Sequence, residues 1–304
     1  MDKFVLMLFK DKKIQNELEE NGFVIIPFLK PDEVTHLNEF YTKVHNGEEP
    51  PHFIENIHMT TWCEDFTYKE SVSKNLMSIF TRSSELYFEN FRRLNNVFIV
   101  KKSGLQTTFK VHQDWNVVDE TTYQSVNVWV PLHDVDQSTG ALWILKGSHR
   151  INRKIRGAGY LFPDYSNYTN DLEKVAISVK LKAGEAIVFY HSVIHGSPPN
   201  LSNESRKAAC FSVIPKKAPL CIYFQKSQND ALQQHEPNDE FIFQYDKLRV
   251  EAALNPPTKN PIKIHDSYIN KKVELKELEV FLNSKKCFFS FLNYKLITFL
   301  FIFF

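Results

Sequence analysis

Neither sign of charge dominates this 304-residue sequence, in which 37 basic residues stand against 36 acidic ones. Such a balance gives no field that would draw the molecule onto nucleic acid or an anionic membrane, so no nucleic-acid partner is expected. Cysteine is scarce. The four that exist, Cys63, Cys210, Cys221 and Cys287, are scattered without a close pair, which argues against a disulfide framework and for free thiols in the cytoplasm. The apolar run at residues 4–9 is too short for a signal-peptide core and lacks a small-residue cleavage site. Secretion is therefore not expected, and Asn167-Tyr168-Thr169 is read as having no route to glycosylation. Internal repeats are missing, as are long amphipathic helices between the strands. The second lack argues against parallel βαβ units and a doubly wound sheet.

What the sequence does have is apolar mass. With 43% hydrophobic and 14% aromatic residues it can bury a sizeable core, so the chain is globular. Helical patterns dominate the first third. Residues 14–20 read as a polar helix tail broken by Asn21-Gly22, after which Phe23 to Pro27 read as a short buried strand. A second helix opens on Pro31-Asp32-Glu33, with Val34, Leu37, Phe40, Tyr41 and Val44 on one stripe, and a third is expected over residues 75–94. From residue 96 the period changes to short strands over 97–101, 107–111, 125–132, 141–145, 175–181, 186–190 and 206–214. Turn residues punctuate them at the spacing of a sandwich or closed barrel. The stretch 152–171 is long for a connection in a compact domain, and so is a candidate lid or substrate loop. Beyond Pro215 the pattern weakens into an irregular wrap. These readings divide the chain into one domain over residues 1–255, with a β core at about 96–215 and helical support at 1–95, followed by an irregular extension over 256–304.

That extension ends in an apolar tail, residues 287–304, flanked by Lys285 and Lys286. It reads either as a tail anchor at the lower edge of bilayer-spanning length, as a strand or helix packed on the domain, or as an inert appendix.

Chemistry concentrates where the strands end. His112 and Asp114 lie two apart at the close of a strand, so in extended chain both side chains point to the same side and can converge. A second histidine, His195, follows another apolar strand far along the chain, a separation natural in a jelly roll. Two imidazoles and one carboxylate on one face of an octahedral metal are the ligand set of iron(II) oxygenases, whereas zinc sites are more often tetrahedral. His191 could pair with His195 only on a helix, which the β-branched and aromatic run before it disfavours, so His191 is read as structural. Arg206 opens the strand that follows, with small Ala208, Cys210 and Ser212 in its phase. A planar guanidinium over such a face can hold one end of a dicarboxylate, and Ser197 can add a hydroxyl.

Together these segments resemble the phytanoyl-CoA dioxygenase family. The resemblance is carried by His112-Gln113-Asp114-Trp115, Val128-Trp129-Val130-Pro131-Leu132-His133-Asp134, Gly140-Ala141-Leu142, Lys146-Gly147-Ser148-His149-Arg150, His195-Gly196-Ser197 and Arg206. The opening Asn21-Gly22-Phe23-Val24-Ile25-Ile26-Pro27 is similar as well, so the match runs over roughly residues 15 to 215 in the family's order. The apolar tail is a departure from it.

The resemblance implies a mainly β fold with flanking helices, a double-stranded β-helix of jelly-roll, cupin-like form. It implies a dioxygenase that uses Fe(II) and 2-oxoglutarate to hydroxylate a small organic or acyl substrate with O2, releasing succinate and CO2. His112, Asp114 and His195 would be the catalytic metal ligands. Arg206 and Ser197 would bind the distal carboxylate of 2-oxoglutarate, with Asn127 and Trp129 lining that pocket, while His149 belongs to a structural turn. Related halogenases lack the carboxylate ligand, so Asp114 favours hydroxylation. Two rivals remain: a non-catalytic metal- or small-molecule-binding jelly roll, and a zinc hydrolase built on the same three ligands.

Overall fold

The computed structural model describes residues 7–51, 53–150, 155–241 and 253–282. Asp11 caps the first helix, α1 (Lys12–Asn21), its carboxylate accepting from the Lys13 N–H at 2.7 Å. Gly22 then takes the left-handed conformation (φ 86°) that ends α1 and turns the chain into β1 (Phe23–Pro27). Helix α2 (Pro31–Val44) begins on its proline, with Asp32 and Glu33 in the first turn. Strand β2 (Ile57–Met59) follows, then α3 (Phe66–Tyr87) behind its Asp65 cap.

The third helix differs from its expected bounds of 75–94. It starts nearer the N-terminus and stops at Tyr87, because Phe88 is extended and Asn90 takes φ 47°, which no α-helix carries through. Phe88, Phe91 and Leu94 mimic helical spacing while lying in and before β3 (Phe91–Lys101). Within β3 an extra residue is accommodated at Asn95 (φ 56°), since Val97 faces Cys210 while Leu94 faces Ser212.

The remaining strands are β4 (Phe109–His112), β5 (Val126–Pro131), β6 (Trp143–Ile144), β7 (Ile177–Ser178), β8 (Glu185–Tyr190), β9 (His195–Ser197) and β10 (Arg206–Pro215). They form two antiparallel sheets, a larger one in the order β1-β8-β5-β10-β3-β2 and a smaller one in the order β4-β9-β6-β7. This is the expected mainly β jelly roll with flanking helices.

Both faces of the larger sheet are used, and the register says for what. One face carries Val126, Val128, Val130, Ala209, Phe211 and Val213, all buried. It packs under the helices, with Phe211 stacked on Phe80 of α3 at 5.0 Å between ring centres. The other face carries Asn127, Trp129, Ala208, Cys210, Ser212, Arg206 and, directly opposite Arg206, Lys101. Polar and small side chains on an inward face mark where the site lies.

The region beyond Pro215 is more ordered than its sequence suggests. Strands β11 (Ile222–Phe224), β12 (Leu232–His235) and β13 (Lys263–His265) make a three-stranded sheet. Helix α5 (Leu275–Leu282) packs through Leu278, Phe281 and Leu282 with Leu172 of α4 (Thr169–Val175). Short strands with weak alternation carry little signal, which is why this part reads as irregular. The apolar tail, residues 287–304, lies outside the described residues; among those described, no helix is long and apolar enough to cross a membrane.

Candidate metal centre

Strand β4 pairs antiparallel with β9 so that His112 and His195 are direct cross-strand partners, their ring centres 4.2 Å apart. Gly196 makes this approach possible: a Cβ there would meet the Trp143 ring at 2.8 Å and the Phe109 carbonyl at 2.9 Å. The sequence reading put His195 in a turn after its strand; it in fact opens β9. Asp114 stands two residues past β4's partner histidine, its N–H donating to the His191 carbonyl at 3.0 Å.

One ligand atom from each of His112, Asp114 and His195 lies within 4.8 Å of the others, the one such grouping of His, Cys, Asp and Glu among the described residues. His112 Nε2 is 3.5 Å from one Asp114 oxygen and His195 Nε2 is 3.7 Å from the other. The opposite ring nitrogens are engaged: His112 Nδ1–H donates to the Lys110 carbonyl at 2.8 Å and His195 Nδ1–H to the Val193 carbonyl at 3.0 Å. A carbonyl can only accept, so both protons sit on Nδ1 and both Nε2 lone pairs aim at the carboxylate. That donor set suits a divalent metal with N and O ligands.

Electrostatics prepare the same state. Burial, reinforced by His112 alongside, pushes the His195 imidazole down to about 4, so it is neutral at physiological pH. Burial acts to raise the Asp114 carboxyl, but the neighbouring His195 and His112 outweigh it and hold the group well below the usual carboxylate range. Asn127 orients that carboxylate, donating from Nδ2 to Oδ2 at 2.8 Å, while its own oxygen accepts from His191 Nε2 at 2.9 Å and from Ser212 at 2.7 Å. His191 is thus a buried supporting residue outside the cluster. His149 likewise sits away from it, bonded to the Glu19 carbonyl.

The guanidinium of Arg206 is 1% exposed, and its Nε and Nη1 are buried without a hydrogen-bond partner among the described residues. Trp129 lies against it, the ring centre 5.0 Å from Cζ. Burial lowers the Arg206 pKa to about 10, still leaving it charged at neutral pH. Ser197, buried on β9, accepts from Lys101 Nζ, which also donates to the Pro198 carbonyl at 2.7 Å. Of the seven residues singled out in the sequence, His112, Asp114 and His195 converge. Asn127 joins them through Asp114, and Arg206, Trp129 and Ser197 gather around a second polar spot.

Lys101 escaped the sequence reading. It is fully buried, and burial together with Arg206 drives its amine down to about 6. The signal was available, because Lys101 continues the inward phase of Val97 and Ile99. A lysine closing an apolar strand more often turns to solvent.

Arg156 and Phe162 were also missed. Arg156 is fully buried with Nε donating to the Asp114 carbonyl at 2.7 Å. Phe162 lies nearly parallel to the His112 ring, 17° between planes and 6.3 Å between centres. Both belong to the stretch expected as a lid, in which Leu161 and Tyr165 are buried and where α4 begins.

Comparison with known proteins finds relatives of the chain. The chain is 29% identical over 154 residues to a protein of Arabidopsis thaliana called phytanoyl-CoA dioxygenase, covering 50% of this chain and 52% of that one. It is 29% identical over 128 residues to phytanoyl-CoA dioxygenase domain-containing protein 1 of Danio rerio, covering 40% and 44% respectively. The chain therefore spans about half the length of the curated relatives it matches. Among solved structures it shares its fold with SnoK, described as a non-heme alpha ketoglutarate dependent carbocyclase from nogalamycin biosynthesis. That likeness has a TM-score of 0.50 at 20% identity and covers 69% of this chain and 86% of SnoK. The family-level match is broader, running over residues 18–208 and so through His112, Asp114, His195 and Arg206, and on that ground the chain belongs to the phytanoyl-CoA dioxygenase (PhyH) family.

Proposed function

We propose that this protein is an Fe(II)- and 2-oxoglutarate-dependent dioxygenase, with His112, Asp114 and His195 as the metal ligands and Arg206 as the anchor for the distal carboxylate of 2-oxoglutarate. The observation that carries the reading is the buried Arg206 fork with two unpartnered nitrogens, on the inward face beside a His-Asp-His cluster. A buried cation without a counter-charge is costly, and a dicarboxylate is the ligand that would remove the cost. A zinc hydrolase would leave Arg206 without a task.

A ferrous ion held by the three ligands would supply oxidative chemistry in which O2 and 2-oxoglutarate yield succinate, CO2 and a hydroxylated small organic or acyl substrate. The protein's own residues do the rest. His112 and His195 offer Nε2 because Lys110 and Val193 hold their Nδ1 protons. Asn127 keeps the Asp114 carboxylate facing them. Arg206, joined by Lys101 once an arriving dicarboxylate raises its amine, would supply positive charge for the cosubstrate, with Ser197 accepting from the lysine. Ala208, Cys210 and Ser212 leave room for its carbon stem. Trp129 supports the guanidinium from below.

The reading takes residues 1–255 as one oxygenase domain, and the packing of β13 and α5 favours extending it to residue 282. Free, buried Cys63, Cys210 and Cys221 favour a cytoplasmic protein. The test is succinate release from 2-oxoglutarate with Fe(II) and O2, screened for stimulation by candidate substrates. Iron-dependent succinate is the expected result; a purified protein that binds 2-oxoglutarate but never forms succinate would instead support the non-catalytic binding reading.

A further inference from the structure

The carboxylate of the centre hangs from a turn, not from a strand, so its position depends on what grips that turn. Asn127 holds the side chain of Asp114 and His191 its backbone N–H. Its carbonyl is taken by Arg156, Nε to O at 2.7 Å. We propose that Arg156 is a positioning residue for the metal: it locks the segment beginning at residue 155 onto the His112–Asp114 turn, so that metal binding and ordering of that segment reinforce each other. The inference rests on the ligand assignment above.

Three features favour a positioning role over simple space-filling. The guanidinium is fully buried, and its charge is met by Glu120, to which Nη2 donates at 2.5 Å. An ion pair alone would satisfy that charge; the contact with the Asp114 carbonyl is additional and falls on the ligand residue itself. Next, the backbone is stitched on both sides. The Arg156 N–H donates to Asn116 Oδ1 at 2.6 Å, and the Asn116 N–H donates back to the Arg156 carbonyl at 3.3 Å. Asp114, Asn116 and Glu120 are therefore all tied to Arg156.

The third feature is a parallel latch. The Tyr165 hydroxyl donates to Gln113 Oε1 at 2.7 Å, and Gln113 Nε2 donates to the Ser192 carbonyl at 2.5 Å. Gln113 thus ties the same segment to the turn ahead of His195. Between the two latches stands Phe162, 44% exposed and nearly parallel to the His112 ring at the mouth of the centre. Linkage makes the coupling reciprocal: whatever affinity the metal gains from an ordered segment, the segment gains in order from the metal.

The test uses the full chain and Mn(II) as a stand-in for Fe(II), with two readouts. Free Mn(II) is followed by electron paramagnetic resonance, and hydrogen–deuterium exchange is followed over residues 155–165 with and without the ion. Wild type is expected to bind one Mn(II) and to slow exchange in the segment. The pair Arg156→Met with Glu120→Gln leaves no buried charge alone, yet should lose about ten-fold in Mn(II) affinity and the metal-dependent slowing. Arg156→Lys keeps the charge but cannot reach Glu120 and the Asp114 carbonyl together, and should show the same two losses if the double variant does not fold. Wild-type affinity and slowing in the Arg156 variants would overturn the inference while leaving the ligand assignment standing. A wild-type protein that binds no Mn(II) would overturn both.

Discussion

His112 and His195 face each other directly across the β4–β9 ladder, and the residue that follows His195 on β9 is Gly196, whose side chain is a single hydrogen. The contact with Trp143 and the Phe109 carbonyl leaves no room for a methyl. Gly196→Ala should therefore force β9 outward, destabilising the fold by about 1–3 kcal/mol and weakening metal binding because both histidines move. Urea unfolding and Mn(II) titration of the variant check this together; unchanged metal affinity would mean the strand spacing is not what brings the imidazoles together.

Asp114→Ala should abolish succinate formation while the protein stays folded, since it removes the only carboxylate of the cluster. Asn127→Ala should be milder. It frees Asp114 Oδ2 to rotate and leaves His191 without its acceptor, lowering metal affinity by about 10- to 100-fold, as loss of a ligand's hydrogen-bond partner typically does. Comparing the metal affinities and circular dichroism of the two variants distinguishes ligand from support.

Arg206→Ala should raise the 2-oxoglutarate concentration needed for half-maximal succinate formation by roughly 10- to 100-fold, the loss expected for hydrogen bonds to a charged group. Arg206→Lys should recover little, because an ammonium cannot present the fork.

Lys101 adds a pH dependence. Its amine, at about 6 without a counter-charge, is mostly neutral at pH 7.5, and an arriving dicarboxylate would raise it. Cosubstrate binding should then take up a proton, and affinity should fall as pH rises from 6 to 8.5. Calorimetry in buffers of different ionisation enthalpy reads the proton, and Lys101→Met should abolish the slope.

The stability of the metal-free protein should fall in mild acid. His195 has a folded pKa of about 4 against about 6.5 when exposed, so between those values the unfolded chain binds a proton that the folded chain does not, and stability rises with pH. The contribution of this one residue is about 3 kcal/mol, fully present above pH 6.5 and lost by pH 4. Burial shifts His191 and His45 in the same direction. Urea midpoints measured from pH 7.5 to 4.5 should drop, and His195→Gln should flatten the drop.

Much of this was legible from side-chain phase alone. The run of small residues in phase with Arg206 states which side chains share a face, and strand geometry does the rest, whereas Asp114 reaches His112 from beyond the end of β4. The register of β10 against β5 and β3 bears out that phase. Long-range contacts were not legible. Lys101 continues an inward phase, yet its partner is set only when β10 lays Arg206 opposite it, and Arg156 becomes notable only when its segment folds back onto Asp114. Phe88, Phe91 and Leu94, apolar and three apart, fit the spacing of a helix and of a strand entry equally. The extended Phe88 and the positive φ of Asn90 decide between them, and neither is written in the sequence.

The most direct test of the central claim is the visible absorption of protein loaded anaerobically with Fe(II) and titrated with 2-oxoglutarate. If three side chains hold the ion and leave adjacent positions for a keto acid, a metal-to-ligand charge-transfer band should grow to one equivalent, vanish in Asp114→Ala and require much more 2-oxoglutarate in Arg206→Ala. No band in the wild-type protein, or the same titration curve in all three, would contradict the account.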